Sequence, residues 1–347
     1  METETFVGLD IHRTVVVATA LDERGHRIDQ SQFGPTDAEL IAYLGRLPGT
    51  KRVVLEACAM WEHYYDAAIS TGADVTLSHP YKTRLIAEAS LKSDKVDSEA
   101  LATLRRLNGI PSSYAPPVET RALRRLVRDR LFYRQEETRV MNHIYAVMMA
   151  RGVPYEPGVL TGRRKRETLR SLQILEVNRG LDILTSLDAT MKTADAAIHA
   201  RFLQSREAQL LASIPGIGEL TATILAAYIC PIERFATLDR LASYCGLCPT
   251  NHQSAMTSYQ GSLKTDCNPL LRWVLIEVGW SHRRYAKSSY VSKVGRRIGR
   301  RRGAKRGSVA SAHALLRVVF AILKRGTPYT PHAPERPSRV IVTATSD

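Results

Sequence analysis

Four carboxylates stand where a divalent cation could be bound. Asp10 follows the apolar run FVGL and Glu56 follows VVL, so each lies at the end of a predicted strand. Asp94 and Asp97 are three residues apart in LKSDKVDSEALATL, a spacing that puts both on one side of a helix. In an open α/β sheet, residues at the carboxyl ends of the strands line the ligand crevice. Converging carboxylates repel one another unless cations neutralise them, and a Mg²⁺ pair held in this way supports phosphodiester cleavage.

Each acid also has an ordinary structural interpretation. Asp10 would be a turn residue at a strand end, and Glu56 a partly exposed acid. Asp94 would be a helix N-cap, and Asp97 would favour the helix dipole in the first turn. For any single acid this interpretation is the simpler one. The placement of the acids on three separate elements favours a shared site.

The segment LLASIPGIGELTATILA contains a Pro-Gly-x-Gly turn between two helical stretches. It resembles a helix-hairpin-helix, in which Gly216 and Gly218 would let backbone N–H groups approach a nucleic-acid phosphate. A plain turn between two helices explains the pattern equally well.

A hydroxyl-rich stretch, residues 250–262, places Ser254 near His252 and Lys264. A serine can attack phosphorus or a carbonyl carbon when a base or a metal activates it. From spacing alone, a polar surface loop is the better explanation. In the next segment, Trp273 and Trp280 fall on one helical face, which predicts that they belong to the core.

The stretch Arg283–Arg306 contains 11 Lys and Arg residues and no acid, with Tyr285 and Tyr290 interleaved. Such a segment binds phosphates without sequence preference. The alternative is a solvated basic run, but a helix-like apolar stretch follows directly. The residues predicted to contact nucleic acid are Gly216, Gly218, Lys264, Arg272, Arg283, Arg284, Arg296, Arg297, Arg300, Arg301, Arg302, Lys305 and Arg306.

The elements that position these residues follow from apolar periodicity. Three strand-like runs, TFVGLDI, TVVVATAL and HRIDQSQF, precede alternating helices and strands up to Leu107. This order predicts an α/β domain with a mixed sheet. The proline-rich break at Pro111–Pro117 is expected to end that domain.

Two charged helical segments, Val118–Ala150 and Leu169–Phe202, follow the break. They predict either a helical hairpin packed on its own domain or a coiled-coil arm used for oligomerisation. Leu210 to Lys324 has the pattern of a compact helical domain, and the proline-rich tail from Thr327 is expected to be disordered. The predicted fold is α/β plus α, divided into residues 1–110, 111–203, 204–326 and 327–347.

The net charge of +15 is unevenly distributed: −4 over residues 1–110, +5 over 111–200 and +14 over 201–347. This asymmetry favours nucleic acid over a membrane as the partner. Five cysteines without a secretory signal indicate a reducing cytoplasm. Cys245 and Cys248 form one CxxC, whereas a structural zinc site needs four ligands. The longest apolar runs noted are about half a membrane span, so no membrane association is expected.

In order along the chain, six segments resemble the insertion-sequence transposases of the "one-ten" family, whose relatives include the Piv-type DNA invertases. The segments are VGLDIH, VVLEACAMW, LKSDKVDSEALATL, SIPGIGELTA, RFATLDRLASYCGLCP and NHQSAMTSYQGSLKTDCNPLLRWVL. The resemblance extends from Phe6 to about Leu323, and the ordered set is far more specific than any single segment.

The resemblance implies a RuvC-like (ribonuclease-H-like) N-terminal domain that binds Mg²⁺ through Asp10, Glu56, Asp94 and Asp97. It also implies a C-terminal transposase domain that supplies Ser254 as the nucleophile of a composite active site. Members of the family are guided by a structured noncoding bridge RNA that pairs with target and donor DNA. They assemble as homodimers that form tetramers, with helical arms at the subunit contacts.

This chain departs from the family at one position. Glycine usually follows the serine, whereas Ala255 follows Ser254 here, so backbone freedom at the nucleophile is reduced. The resemblance implies an RNA-guided DNA recombinase that forms a serine–DNA intermediate. A metal-dependent nuclease or junction resolvase that uses water, and a nucleic-acid-binding protein without catalysis, remain the alternatives.

Overall fold

The computed structural model describes residues 3–87, 94–254 and 257–331, and it leaves the side chains of residues 87, 94–96, 163, 251–254 and 257–260 undescribed. The chain divides into two compact units, Met1–Pro116 and Pro117–Asp347. The division falls within the proline-rich break. The larger hydrophobic clusters lie within one unit or the other.

In the described residues, the first unit contains five strands and four helices. The strands are β1 (Glu4–Ile11), β2 (Val16–Leu21), β3 (Arg27–Phe33), β4 (Thr50–Glu56) and β5 (Asp74–Ser78). The helices are α1 (Asp37–Arg46), α2 (Trp61–Ser70), α3 (Pro80–Ala87) and α4 (Asp94–Arg106). The sheet order is β3-β2-β1-β4-β5, with β1 antiparallel to β2 and parallel to β4. The predicted α/β unit with a mixed sheet is confirmed.

The two faces of this sheet carry different helices. Side chains alternate along a strand, so Val7 and Leu9 of β1 lie on the face that packs against α1 and α2. Phe6, Gly8 and Asp10 belong to the opposite face, which is covered by α4. Phe6 clusters there with Ala102.

Helix α4 lies on β1 with its backbone in contact at Gly8. A Cβ built on Gly8 would be 2.6 Å from the amide nitrogen of Ala102 and closer still to the carbonyl oxygen of Ser98. The buried Ser98 hydroxyl is 2.8 Å from Thr19 Oγ1, to which Gln30 Nε2 donates at 3.1 Å. A glycine on the strand and a buried hydroxyl on the helix therefore fix the position of α4.

The second unit is mostly helical, as predicted. Its helices are α5 (Val118–Ala150), α6 (Arg163–Arg170), α7 (Leu175–Gln204), α8 (Arg206–Ala212), α9 (Glu219–Ile229), α10 (Leu238–Tyr244), α11 (Pro269–Tyr285), α12 (Tyr290–Arg302) and α13 (Ala304–Arg325), with a 3₁₀ turn at Ile232–Arg234. Two strands, β6 (Pro249–Ser254) and β7 (Thr257–Leu263), form an antiparallel pair.

Helices α5 and α7 form an antiparallel hairpin. Its direction follows from two ion pairs, Arg130 Nε to Asp195 Oδ1 and Arg151 Nη2 to Glu176 Oε1, each 2.7 Å long. The far end of the hairpin has its own buried cluster, formed by Ile144, Met148, Leu160, Leu169, Val177, Leu181 and Leu184. The hairpin therefore has an apolar core within a single chain.

Three expectations for the second unit are wrong. The polar stretch predicted as a loop forms strands β6 and β7, because threonine and tyrosine at alternating positions suit a strand. Leu169 belongs to the separate helix α6, and the long second helix begins at Leu175. Part of the tail is held in place, since the Tyr329 amide donates to Ser213 Oγ at 2.8 Å. Residues 332–347 lie outside the described part of the chain.

The two tryptophans of α11 are not in the core. Trp273 is 52% exposed and Trp280 is 46% exposed. The buried face of α11 is instead formed by Leu271, Val274, Leu275, Val278, Gly279 and His282. The prediction chose the wrong side of the helix because both faces are rich in apolar residues.

Helix α13 is a core helix. Among the described residues, it is the one helix long and apolar enough, by length and composition, to cross a membrane. The expectation that the longest apolar runs are about half a membrane span is therefore wrong. In its most apolar window, 61% is buried inside the second unit, as in the central helix of a folded protein.

The contact at Gly8 gives a stability test. We expect Gly8→Ala to lower the free energy of unfolding by about 1–3 kcal/mol, because the added methyl group must displace the backbone of α4. Urea unfolding monitored by circular dichroism measures this difference. In Gly45→Ala, the matched control within α1, the new methyl group meets nothing within 4 Å. That change should stabilise by about 0.5–1 kcal/mol, and equal effects of the two substitutions would contradict the assignment.

Candidate functional site

The predicted strand-end acids are neighbours. Strands β1 and β4 are parallel with Leu9 opposite Leu55, so the next residues, Asp10 and Glu56, lie side by side at the carboxyl edge. Asp10 is two residues after Gly8 on β1, so the two residues share the sheet face that α4 covers. Both acids are therefore placed beside α4.

The electrostatics bring a third acid into this group. Burial raises the pKa of Glu56, and the negative charges of Asp10 and Asp97 raise that pKa further. Asp97 is exposed, in the first turn of α4 as described. Two of the other predicted carboxylates, Asp10 and Asp97, thus oppose ionisation of Glu56.

The position of Asp94 follows from the backbone alone. Four residues of a helix rise about 6 Å, and two residues of a strand advance about 6.8 Å. Helix α4 runs antiparallel to β1, since Ala102 contacts Phe6 and the earlier residue Ser98 contacts Gly8. Two residues further along the strand is Asp10. Four residues back along the helix is Asp94, so the backbone of Asp94 is placed near Asp10. The side chain of Asp94 is outside the described residues, so its role stays a prediction.

The described side chains do not by themselves complete a metal site. In residues 3–87, 94–254 and 257–331, no group of three His, Cys, Asp or Glu side chains is spaced to hold an ion. The acidic group nevertheless has the chemistry of one, because it offers only carboxylate oxygens, the ligands preferred by Mg²⁺. A cation would also relieve the repulsion that raises the pKa of Glu56.

His12 belongs to this edge and was not singled out from the sequence. Its Nε2 is 2.9 Å from Asp10 Oδ2. Strand periodicity could not have found it, because β1 ends at Ile11 and His12 lies in the turn that follows. The imidazole holds one carboxylate oxygen of Asp10 in a fixed direction.

Ser254 is the last residue of β6 and pairs across the strands with Thr257 of β7. Its side chain and Ala255 lie outside the described residues. Nearby, the Lys264 amide donates to the Cys248 carbonyl at 3.0 Å, and the Arg272 guanidinium donates to the Lys264 carbonyl. These contacts hold the base of the β6–β7 hairpin against the preceding loop.

Arg272 has a structural role in addition to its predicted one. Besides the Lys264 carbonyl, its guanidinium contacts Cys267 Sγ at 2.8 Å. It also packs against Gly246, where a Cβ would collide with Cys267 Sγ and with the guanidinium. The Arg272 side chain is half-buried, whereas Arg297, Arg300 and Arg301 of α12 are exposed.

The predicted helix-hairpin-helix turn connects α8 to α9. Gly216 has φ +89, a conformation that suits glycine, and Gly218 is the exposed N-cap residue of α9. A Cβ on Gly216 would lie 2.9 Å from the backbone nitrogen of His282. One side of the turn therefore packs on α11, and the Gly218 side faces solvent.

His282 connects this turn to the basic helix. The imidazole is fully buried, with Nδ1 2.8 Å from the Pro215 carbonyl and Nε2 2.9 Å from Ser289 Oγ. A carbonyl can only accept, so Nδ1 carries the proton and Nε2 accepts from the Ser289 hydroxyl. Ser289 in turn caps α12 by accepting from the Ser292 amide. Burial lowers the pKa of His282, consistent with this neutral tautomer.

Helix α12 presents a continuous basic face. Lys293, Arg296, Arg297, Arg300 and Arg301 line an open depression of about 600 Å³. The opposite side of α12 packs closely on α13, because a Cβ on Gly307 would be 2.8 Å from the Gly295 carbonyl oxygen. Arg302, Lys305 and Arg306 continue the exposed charge around the junction of the two helices.

Transposase family models match residues in both units of the chain. Residues 7–150 match the model of the DEDD transposases of the IS110 group, described as "Transposase". Residues 208–294 match the "Transposase IS116/IS110/IS902 family". The matched ranges contain all four predicted acids, Ser254 and the hairpin turn.

Similar proteins have names of the same kind. The chain is 26% identical to the Coxiella burnetii "Transposase for insertion sequence element IS1111A" over 81% of this chain and 79% of that protein. It is 25% identical to a "Probable family 20 transposase" of Pseudomonas aeruginosa, over 94% and 98%. A "Pilin gene-inverting protein" of Moraxella lacunata is 32% identical over 35% of this chain and 38% of that protein. With the acids at the sheet edge and the basic helical unit, these matches show that the chain belongs to the IS110 family of insertion-sequence transposases.

Proposed function

We propose that this transposase cuts and exchanges DNA strands through a serine–DNA intermediate, with its four acids holding Mg²⁺. The observation that supports the metal role is the repulsion that Asp10 and Asp97 exert on Glu56 at one sheet edge. The fold of the first unit is proposed to be RuvC-like. Its strand order, with the acids on the two central parallel strands and on the helix that crosses them, supports this proposal.

The carboxylates would act as a group. Asp10, Glu56, Asp94 and Asp97 are the residues that would hold the cation, with His12 keeping one oxygen of Asp10 oriented. A bound divalent cation would neutralise the charge that develops on the phosphate and stabilise the leaving 3′ oxygen. The protein supplies the rigid sheet edge on which the acids are fixed.

Ser254 is proposed as the nucleophile. Its hydroxyl oxygen would attack the phosphorus as the bond to the 3′ oxygen breaks, giving a phosphoseryl link to the 5′ side and a free 3′ hydroxyl. A 3′ hydroxyl from the other DNA would then reverse the step, so the bond energy is conserved. Consistently, the chain contains no GxxxxGK[ST] nucleotide-binding motif.

Guidance by RNA and assembly into tetramers are proposed from the family resemblance. The basic face of α12 offers a sequence-independent surface for phosphates, as either nucleic acid requires. The hairpin of α5 and α7 is proposed to serve as the coiled-coil arm between subunits. Exposed Phe132 and Ile183, on the two helices of the hairpin, support this role.

The acidic site gives a test by thermal unfolding. Between the unfolded pKa of Glu56 and its raised folded pKa, the folded state binds more protons, so stability falls as pH rises through that window. In EDTA at neutral pH, Glu56→Gln should therefore have a higher Tm than wild type. Mg²⁺ should raise the Tm of wild type and leave that of Glu56→Gln unchanged.

The matched control for this experiment is Glu99→Gln, on the same helix as Asp97. Glu99 is 3.4 Å from the Arg27 guanidinium and is partly exposed. Its replacement should shift stability by no more than about 0.5 kcal/mol and leave the response to Mg²⁺ intact. A wild-type protein that gains no stability from Mg²⁺ would contradict the metal assignment.

The nucleophile is tested on a nicked DNA substrate that traps covalent intermediates. Wild type should accumulate a protein–DNA adduct that survives denaturing electrophoresis, and Ser254→Ala should accumulate none. Ser258→Ala, a change of the same size on the neighbouring strand, should retain the adduct. Free 5′ phosphates without any adduct would instead indicate hydrolysis by water, as in a nuclease or junction resolvase.

RNA guidance is tested by sequencing the RNA that copurifies with the full chain. A discrete structured species is expected, and its digestion by ribonuclease should abolish strand exchange. A random mixture of cellular RNA, with exchange unaffected by ribonuclease, would rule out guidance. The metal experiment measures thermal unfolding without nucleic acid, so it does not depend on this result.

A further inference from the structure

Helix α11 carries an exposed aromatic stripe that the proposed chemistry does not use. Trp273 and Trp280 are seven residues apart, which is close to two helical turns, so they lie on the same side of α11. About half of each side chain is exposed. The core side of the helix is already filled by the apolar residues around Leu275. The tryptophans are therefore surplus to the packing of this unit.

The surroundings of the stripe are strongly positive. The Arg283 guanidinium lies 5.3 Å from the centre of the Trp280 ring, and Arg284 is exposed one turn beyond Trp280. Glu277 is the single acid of this side of α11, between the tryptophans. From Arg283 to Arg306 there are 11 basic residues and no acid. An aromatic surface surrounded by positive charge is complementary to a polyanion that has flat apolar groups, which is a nucleic acid strand.

We propose that the stripe, defined as Trp273, Trp280, Arg283 and Arg284, binds unpaired nucleotides of single-stranded DNA by stacking. The proposal rests on the proposed function, because exchange of strands between two duplexes requires that bases be unpaired. Duplex bases are stacked on each other and offer no free face, whereas every unpaired base does. The tryptophans are about 10 Å apart along the helix, close to three steps of a stacked strand at about 3.4 Å each. The basic face of α12 would hold the phosphates of the flanking DNA.

The chain provides its own probe for this binding. It has three tryptophans, and Trp61 of the first unit is the one outside the stripe. In full-length Trp61→Phe, emission reports the stripe alone. A single-stranded oligodeoxynucleotide of about 16 nucleotides should quench that emission to saturation. The same strand in a duplex should bind with much weaker quenching.

Two kinds of variant separate stacking from charge. In the Trp61→Phe background, Trp280→Ala should weaken binding of the single strand by about 5- to 150-fold, while Trp280→Phe keeps most of the affinity. Arg297→Gln and Arg300→Gln should weaken single strand and duplex alike and reduce the salt dependence by roughly one unit for each lost phosphate contact. Because these side chains are exposed, circular dichroism should show an unchanged fold.

Three results would overturn the proposal. The first is unchanged affinity of Trp280→Ala and Trp273→Ala for the single strand. The second is at least tenfold tighter binding of RNA of the same sequence, which would assign the stripe to RNA. The third is a blue shift of the emission with rising protein concentration in the absence of nucleic acid, which would indicate a contact between copies of the chain. The assay measures binding alone, so a negative result in the Ser254 adduct experiment or the Mg²⁺ unfolding experiment leaves its result unaffected.

Discussion

The acidic site depends on one close approach, that of α4 to β1 at Gly8. A helix normally keeps its distance from a sheet because side chains stand between them. Here the missing side chain lets the helix backbone rest on the strand, and the buried Ser98–Thr19 pair fixes the helix along it. The start of α4 then reaches the edge where β1 and β4 end. The acids of three elements can meet there although β1, β4 and α4 are far apart in sequence.

The site is assembled against its own charge. Burial and the charges of Asp10 and Asp97 raise the pKa of Glu56. The folded unit is therefore less stable with Glu56 ionised than it would be with a neutral side chain at this position. Protein structures retain such repulsion at functional sites, where a cation or a substrate removes it. The second unit has the opposite composition, since its basic face on α12 has no nearby acid on the same segment. The acidic edge of the sheet and the basic face of α12 are thus separated along the chain.

Much of the fold could be predicted from local patterns, and the parts that failed depend on distant contacts. Apolar, strand-like runs predicted the strands of the mixed sheet. Apolar residues spaced by three and four predicted the long helices. The buried side of α11 could not be chosen from its own sequence, because the choice depends on α13 and α9 packing against it. Strands β6 and β7 were missed since a polar stretch resembles a loop until its pairing partner is known.

The candidate site was predicted as a set of acids but without the residues that fix them. Asp10 and Glu56 lie at the carboxyl ends of their strands as expected, and both Asp10 and Asp97 act on the charge of Glu56. Neither Ser98 nor His12 stood out, because a buried serine and a histidine have no local signature. From the sequence alone, Gly8 is one residue of an apolar strand. Its need for the smallest side chain becomes visible only when α4 is placed on it.

Helix α13 has a consequence for how the chain is made. It is the last described element of the second unit, and its apolar residues lie at the centre of that unit's core. The earlier helices of the unit therefore leave the ribosome before the α13 residues that pack into the centre of this core. Until α13 has been synthesised and packed, its partners in this core expose their apolar residues to solvent. The second unit can complete its core only after α13 has been synthesised. Until then, its exposed apolar residues could be bound by chaperones.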